Sequence, residues 1–315
     1  MMTIYKWENG GLKESLEFVQ NCWVNLVEPT TTELERVLSY SKGVIPRDFL
    51  TDPLDRDERP RFDYDDGVTM LLIHVPYVVD DDDVVPYRTV PIGIILLSDM
   101  IVTVCNVQTP VTSAFLDQIR RVCPPSDRYR FAFRLLWHGG VLFLRYLHDL
   151  HQRTDALEDE IHESISNEIL LKFLNIEKAL VYFTTSLKAD TIALARANTS
   201  RQLQLSEDDR DQLEDAMVEY EQALETATIH ANILNGTLDA FASIINNNMN
   251  NVMKYLTAVT ILLAVPTLIA SMYGMNIGLP FQDSVHAFGI VMGFSLVLAL
   301  AIGAVFYILS RKNKF

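Results

Sequence analysis

At 315 residues, with a formal net charge of −15 and 49% hydrophobic residues, the chain has room for one large or two small domains and carries a surplus of acid. That surplus argues against nucleic acid and anionic lipid as partners and suits cations. Cys22, Cys105 and Cys123 are odd in number and unclustered, which points away from a disulfide framework or a cysteine metal site.

Met1–Gln20 has no apolar core long enough for a signal peptide, so none is expected. Met1–Cys105 reads as mixed α and β. Cys22–Val27, Thr69–Val79, Thr89–Leu97 and Met100–Val104 are short runs rich in Val and Ile, bounded by turn-forming or charged residues, as strands are. Thr30, Thr31 and Thr32, followed by Glu33 and Glu35, open a helix through Leu38, with hydroxyl caps and acids at its positive end. Asp80–Asp83 is a run of acids between two strands. It lacks the alternating ligands and turn glycine of a calcium loop, so a solvated hairpin tip is the better reading.

From Pro110 onward strand signals vanish. Val111–Val122, Arg130–Ser166 and Glu168–Asn198 read as helices, and another runs from Ser206 to the first apolar span. His148, Asp149, His151 and His162 fall on the second of these. His148 and His151 are spaced to chelate a soft divalent ion, although a solvated polar face is the better account of them. Ser206 with Asp208 and Asp209 forms an amino-terminal cap, and no proline interrupts Ser206–Val265, where Gly236 is the weak point. Such a stretch would run on the order of 90 Å as a helix. It is expected to pack against copies of itself through Leu213, Met217, Tyr220, Leu224, Ala227, Ala231, Leu234 and Leu238.

Tyr255–Met272 carries no charge and approaches the ~20 residues that cross ~30 Å of hydrocarbon. A second apolar run, Ala287–Leu309, comes after a short connection and precedes Arg311, Lys312 and Lys314. The two make a membrane hairpin. Residues 251–315 carry a net +3, which leaves −18 for residues 1–250. Lys254 and the basic tail flank the spans on one side, while the connection has neither Lys nor Arg. Both termini are therefore expected in the cytoplasm and the connection outside.

Thr257, Thr260, Ala264, Thr267 and Ser271 form a stripe on the first span, and Asn246, Asn250 and Met253 continue it upstream. Small and hydroxyl residues in such a stripe suit a close helix–helix contact, the better reading on periodicity alone. They also suit a pore wall shared by several copies, with the hydroxyls facing water. The end of this span shifts the balance to the pore, for it reads Tyr273-Gly274-Met275-Asn276. Placed between two C-terminal spans, behind a long helix and ahead of a basic tail, this motif resembles the signature of the CorA magnesium-transporter family. Trp23–Pro29, Asp52–Tyr64, Leu72–Tyr77, Val90–Leu97 and Val102–Val104 are similar to its amino-terminal domain in the same order. Where many relatives have Pro-Leu-Thr in the span, this chain has Val265-Pro266-Thr267.

The resulting expectation is an α+β cytoplasmic domain, an αβα sandwich, over residues 1–125, then a helical hairpin over 126–205 and a stalk helix over 206–252. Membrane helices at 253–273 and 287–310 come next, with an extracytoplasmic loop at 274–286 between them and a basic tail at 311–315. The resemblance implies a homo-oligomer, a pentamer, in the cell membrane, passing Mg2+ down the membrane potential and closed by cytoplasmic Mg2+ bound between subunits. It assigns ion selectivity to Gly274, Met275 and Asn276, a hydrophobic gate to Met253 and Leu256, and a regulatory metal ligand to Asp239. Thr267, Ala264, Thr260 and Asn250 would line the path, and Asp283 would draw cations to its mouth. Asp99 and the Asp80–Asp83 run are candidate partners of Asp239. Two alternatives are a ZntB-like carrier of zinc, cobalt or nickel, and a membrane-anchored scaffold without transport. An enzyme is not expected: there is no phosphate loop, nucleophile elbow or zinc helix motif.

Overall fold

The computed structural model describes residues 1–79, 85–119, 123–163, 167–280 and 285–311. The Asp80–Asp83 run, Asp283, Lys312 and Lys314 lie outside the described residues, as do the side chains of His162 and Arg311. Two compact units emerge, Met1–Asn235 and Gly236–Phe315.

The first unit is built on a seven-stranded sheet in the order β2-β1-β3-β7-β6-β5-β4. Its strands are β1 (Met2–Glu8), β2 (Gly11–Ser15), β3 (Cys22–Val27), β4 (Arg61–Asp65), β5 (Val68–Val78), β6 (Tyr87–Leu96) and β7 (Met100–Cys105). The β3–β7 pair is parallel and all others are antiparallel, so two meanders meet at one crossover. The four Val- and Ile-rich runs became β3, β5, β6 and β7. Strands β1, β2 and β4 were not foreseen, because charged residues interrupt their short apolar runs. Their hairpins turn at Asn9-Gly10 and Asp66-Gly67, all four residues with positive φ, the geometry that a two-residue turn between twisted strands demands.

Helices cover both faces of the sheet, which is why β7 is buried along its whole length. On one face lie α1 (Thr31–Tyr40) and α2 (Arg47–Thr51), with Val37, Phe49 and Leu50 against Val24, Met70 and Val102. Helix α1 begins in a reciprocal cap: Glu33 N–H donates to Thr30 Oγ1 at 3.3 Å, and Thr30 N–H donates to Glu33 Oε2 at 2.8 Å. On the other face lie α3 (Pro110–Ile119), α4 (Arg128–Glu163) and α5 (Asn167–Thr199). There Trp23 meets Phe115 and Phe131 edge-on, while its indole N–H donates to Thr103 Oγ1 at 2.9 Å. Helix α5 is tied to the sheet by polar contacts: Ser186 Oγ donates to Thr89 Oγ1, and the His74 backbone N–H donates to Asp190 Oδ1, both at 2.8 Å.

Helix α6 (Glu207–Tyr273) starts at Ser206, whose hydroxyl accepts from Asp209 N–H at 3.2 Å. The expectation that the stalk depends on copies of itself needs correction for its first part. Residues 207–235 pack within their own unit, burying Leu213, Ala216, Tyr220, Ala223 and Ala227. Glycines make this possible. Tyr220 Oη would stand 2.5 Å from a Cβ at Gly139, and Glu219 Cβ 2.7 Å from one at Gly140. Two residues without side chains on α4 therefore let α6 approach it directly.

Candidate ion pathway

The second unit holds the remainder of α6 and α7 (Ala287–Arg311). Both contain windows long and apolar enough to cross a membrane. None of the α6 window is buried, which sets it apart from the core helix of a soluble protein.

At about 100° per residue, Asn250, Met253, Leu256, Thr260, Ala264 and Thr267 fall within roughly a third of the circumference of α6. All of them are exposed on the chain. The other side of the helix meets α7: a Cβ at Gly303 would stand 3.4 Å from Leu262 Cδ2. Leu262 lies roughly half a turn from the stripe. The contact with α7 therefore leaves the stripe open.

The hydroxyls on this stripe share one arrangement. Thr257, Thr260 and Thr267 donate to the carbonyls of Met253, Leu256 and Leu263, each at 2.8 Å. Each proton is thus engaged inside the helix, and the oxygen's lone pairs are left to accept from outside. Neutral acceptors suit a cation that keeps its water shell, because the waters donate outward. Pro266 interrupts the ladder among them, since it cannot donate to the Leu262 carbonyl.

The helix ends at the motif. Gly274 N–H donates to the carbonyls of Ala270 at 3.0 Å and Ser271 at 3.2 Å, and Met275 N–H donates to Met272 at 3.2 Å, a tightened last turn. The Tyr273 hydroxyl donates to the Pro280 carbonyl at 3.0 Å and staples the connection to the helix end. Asn276 comes next, exposed. Gly274 is not at positive φ, and a Cβ there would meet Ser271 O at an ordinary 3.5 Å, so a tight turn within the chain does not require this glycine.

Asp239 is exposed on α6, within the second unit. Asp99 lies at the β6–β7 turn, where its carbonyl accepts from Asn21 N–H at 2.6 Å. Among the described residues, no three His, Cys, Asp or Glu side chains converge to hold a metal ion. The Tyr273–Pro280 staple was not expected from the sequence, where an aromatic before the motif and a proline after it are its only signals.

A soluble α/β unit, a helix running from it into an apolar span, and a second span behind that define a class of membrane protein in which one long helix carries both soluble and membrane segments. The chain belongs to the CorA-like Mg2+ transporter family, which it matches over residues 19–312. It is accordingly a divalent-cation transporter and not an enzyme. It is 26% identical to the cobalt/magnesium transport protein CorA of Methanocaldococcus jannaschii over 300 residues, covering 91% of this chain and 90% of that one. The complete structure of that organism's CorA magnesium transporter superposes with a TM-score of 0.81 at 24% identity, covering 99% of this chain and 98% of the other. The ZntB cytoplasmic domain from Vibrio parahaemolyticus superposes with a TM-score of 0.60 at 12% identity, over 79% of this chain and 98% of that domain.

Proposed function

We propose that the chain is a channel for hydrated Mg2+, assembled from several copies, a pentamer by family resemblance, with the α6 stripe lining the path. The observation that carries this reading is the set of back-bonded threonines, which turn acceptor oxygens outward on the side of α6 opposite α7. A ring of Asn276 amides forms the outer selective site: magnesium dehydrates reluctantly, and neutral amide oxygens hold its shell without trapping the ion. Gly274 and Met275 complete the motif. Thr267, Ala264, Thr260 and Asn250 continue the path inward, and Met253 with Leu256 close it by expelling water.

Both termini face the cytoplasm of a cell-membrane protein in this reading, as the basic flanks favour. The membrane potential then drives cations inward with ~2.3 kcal/mol per charge per 100 mV. Asp239 binds a regulatory cation between acidic copies and favours the closed assembly.

The test is Mg2+ flux into liposomes containing the purified chain, with Asn276→Ala alongside. Conduction by the parent and its loss in the variant are expected. Equal flux from both would leave the motif without a selective role. A second reading is a carrier of zinc, cobalt or nickel, cobalt being named with magnesium for the Methanocaldococcus jannaschii relative; running the assay with each ion separates the two.

A further inference from the structure

Away from the ion pathway, the seam between α4 and α6 carries a pair of histidines that conduction does not use. Gly140 of α4 faces Glu219 of α6, and eleven residues further along each helix His151 of α4 stacks on His230 of α6. Equal steps of three turns mean that the two helices run side by side in one direction here. The ring centroids are 5.0 Å apart and the planes 24° from parallel.

His151 Nδ1 lies 3.6 Å from Asp155 Oδ1. His148 sits one turn earlier on α4, its Nε2 3.1 Å from the Gln152 amide nitrogen. Helix α5 contributes Leu180, and α6 itself Ile233. His230 Nδ1 is buried without a hydrogen-bond partner among the described residues. It borders a void of about 10 Å³, room for about one water molecule.

We propose that the His151–His230 stack is a proton-operated joint, which holds α6 against α4 while the His230 ring is neutral and releases that end of the seam when it is charged. His230 takes one proton from solvent at its unpartnered Nδ1, by way of the void that it borders. Asp155 lies against His151 on the far side of the stack, so it offsets a charge gained at His230 only in part. The far end of the seam, where Gly139 and Gly140 meet Tyr220, is held by shape and stays closed. Burial, then the neighbouring His151, hold His230 below the ordinary histidine value, with Asp155 opposing. The stability it contributes is therefore complete above about 6.5 and is lost as pH falls below that. Helix α6 continues past Asn235 into the apolar span, so the joint lies on the helix that carries the pathway. The inference holds whichever ion is carried.

Hydrogen exchange on the full chain in lipid nanodiscs tests it, at about pH 8 and about pH 5.5, corrected for intrinsic exchange rates. Amides of residues 224–235 are expected to exchange about tenfold faster at the acid value, while those of 213–220 stay unchanged. His151→Phe and His230→Phe, which keep a neutral ring, should each abolish that response. Equal protection of the wild type at both values, or an undiminished response in the variants, overturns the proposal. Imidazole nitrogen resonances of the wild type give a readout free of mutation: two independent, ordinary titrations would also overturn it. Protection gained on adding zinc chloride at the alkaline value, and absent from the variants, would instead identify a metal-holding pair and overturn the proton joint.

Discussion

Asp190 keeps a carboxyl group wholly out of water. Strand β4 ends its pairing at Arg61 opposite Leu72, so the next outward backbone N–H on β5, that of His74, takes Asp190 Oδ1 as its acceptor. Asp190 Oδ2 and the Tyr220 hydroxyl are buried without hydrogen-bond partners among the described residues. Burial pushes the Asp190 carboxyl well above the usual carboxylate range, although the His74 N–H opposes this. The neutral acid's contribution is complete below about 3.9 and is lost as pH rises toward and through the raised value. Asp190→Asn keeps an acceptor and removes the ionisation. It should raise stability at neutral pH by about 1–3 kcal/mol and flatten the pH dependence of thermal melts. If melts of parent and variant fall in parallel as pH rises, Asp190 is not the titrating group. At the same scale, Thr260→Val and Thr267→Val remove acceptor oxygens while keeping the β-branched shape. Each should lower divalent flux about tenfold, an effect of about 1.4 kcal/mol, with Thr→Ser restoring it. Flux unaffected by valine would move the water path off this stripe.

Among the elements, helices α4 and α6 each hold a glycine, and the two have opposite roles. An alanine in a helix interior gains up to about 1 kcal/mol over glycine. At Gly236 a Cβ meets nothing within 4 Å, so Gly236→Ala should stabilise α6 by roughly that amount. At Gly140 the same atom would stand 2.7 Å from Glu219 Cβ and 3.3 Å from its backbone carbonyl carbon. Overpacking of about 1–3 kcal/mol outweighs the propensity there, so Gly140→Ala should destabilise. Denaturant melts of the two variants side by side check both signs. The rest of the fold divides on the same physical ground. The Val and Ile runs of β5, β6 and β7 and the caps at Thr30 and Ser206 are local signals, and they were legible. Strands β1, β2 and β4 announce themselves through Asn9-Gly10 and Asp66-Gly67, turn chemistry that composition does not weight.

For the whole molecule, the proposed assembly would set acidic units beside one another, and a divalent cation bound between them would relieve the repulsion. Asp239 is exposed on the helix common to both units, where such a cation would act across copies. Asp239→Ala should weaken the inhibition of flux by Mg2+ on the cytoplasmic side severalfold, while the maximal flux at low Mg2+ stays near that of the parent. Inhibition curves for the two chains in oriented liposomes decide it, and superimposable curves would remove Asp239 from regulation. The candidate site was legible as a linear motif, from Asn250 through Asn276, because periodicity and apolar length survive in one dimension. Its staple from Tyr273 to Pro280 and the orientation of its threonine protons were not, since both depend on where the backbone carbonyls lie.

By itself, the sequence determined the two spans, the place of the motif between them, the long helix that leads in, and the strands at the centre of the sheet. Each is encoded by neighbours along the chain, through apolar length, helical spacing or a capping residue. Only the tertiary structure decided that α6 lies on α4, that His74 finds Asp190 116 residues away, and that His151 faces His230. Contacts over such separations are set by which surfaces can be buried together, and no local stretch of sequence carries that information.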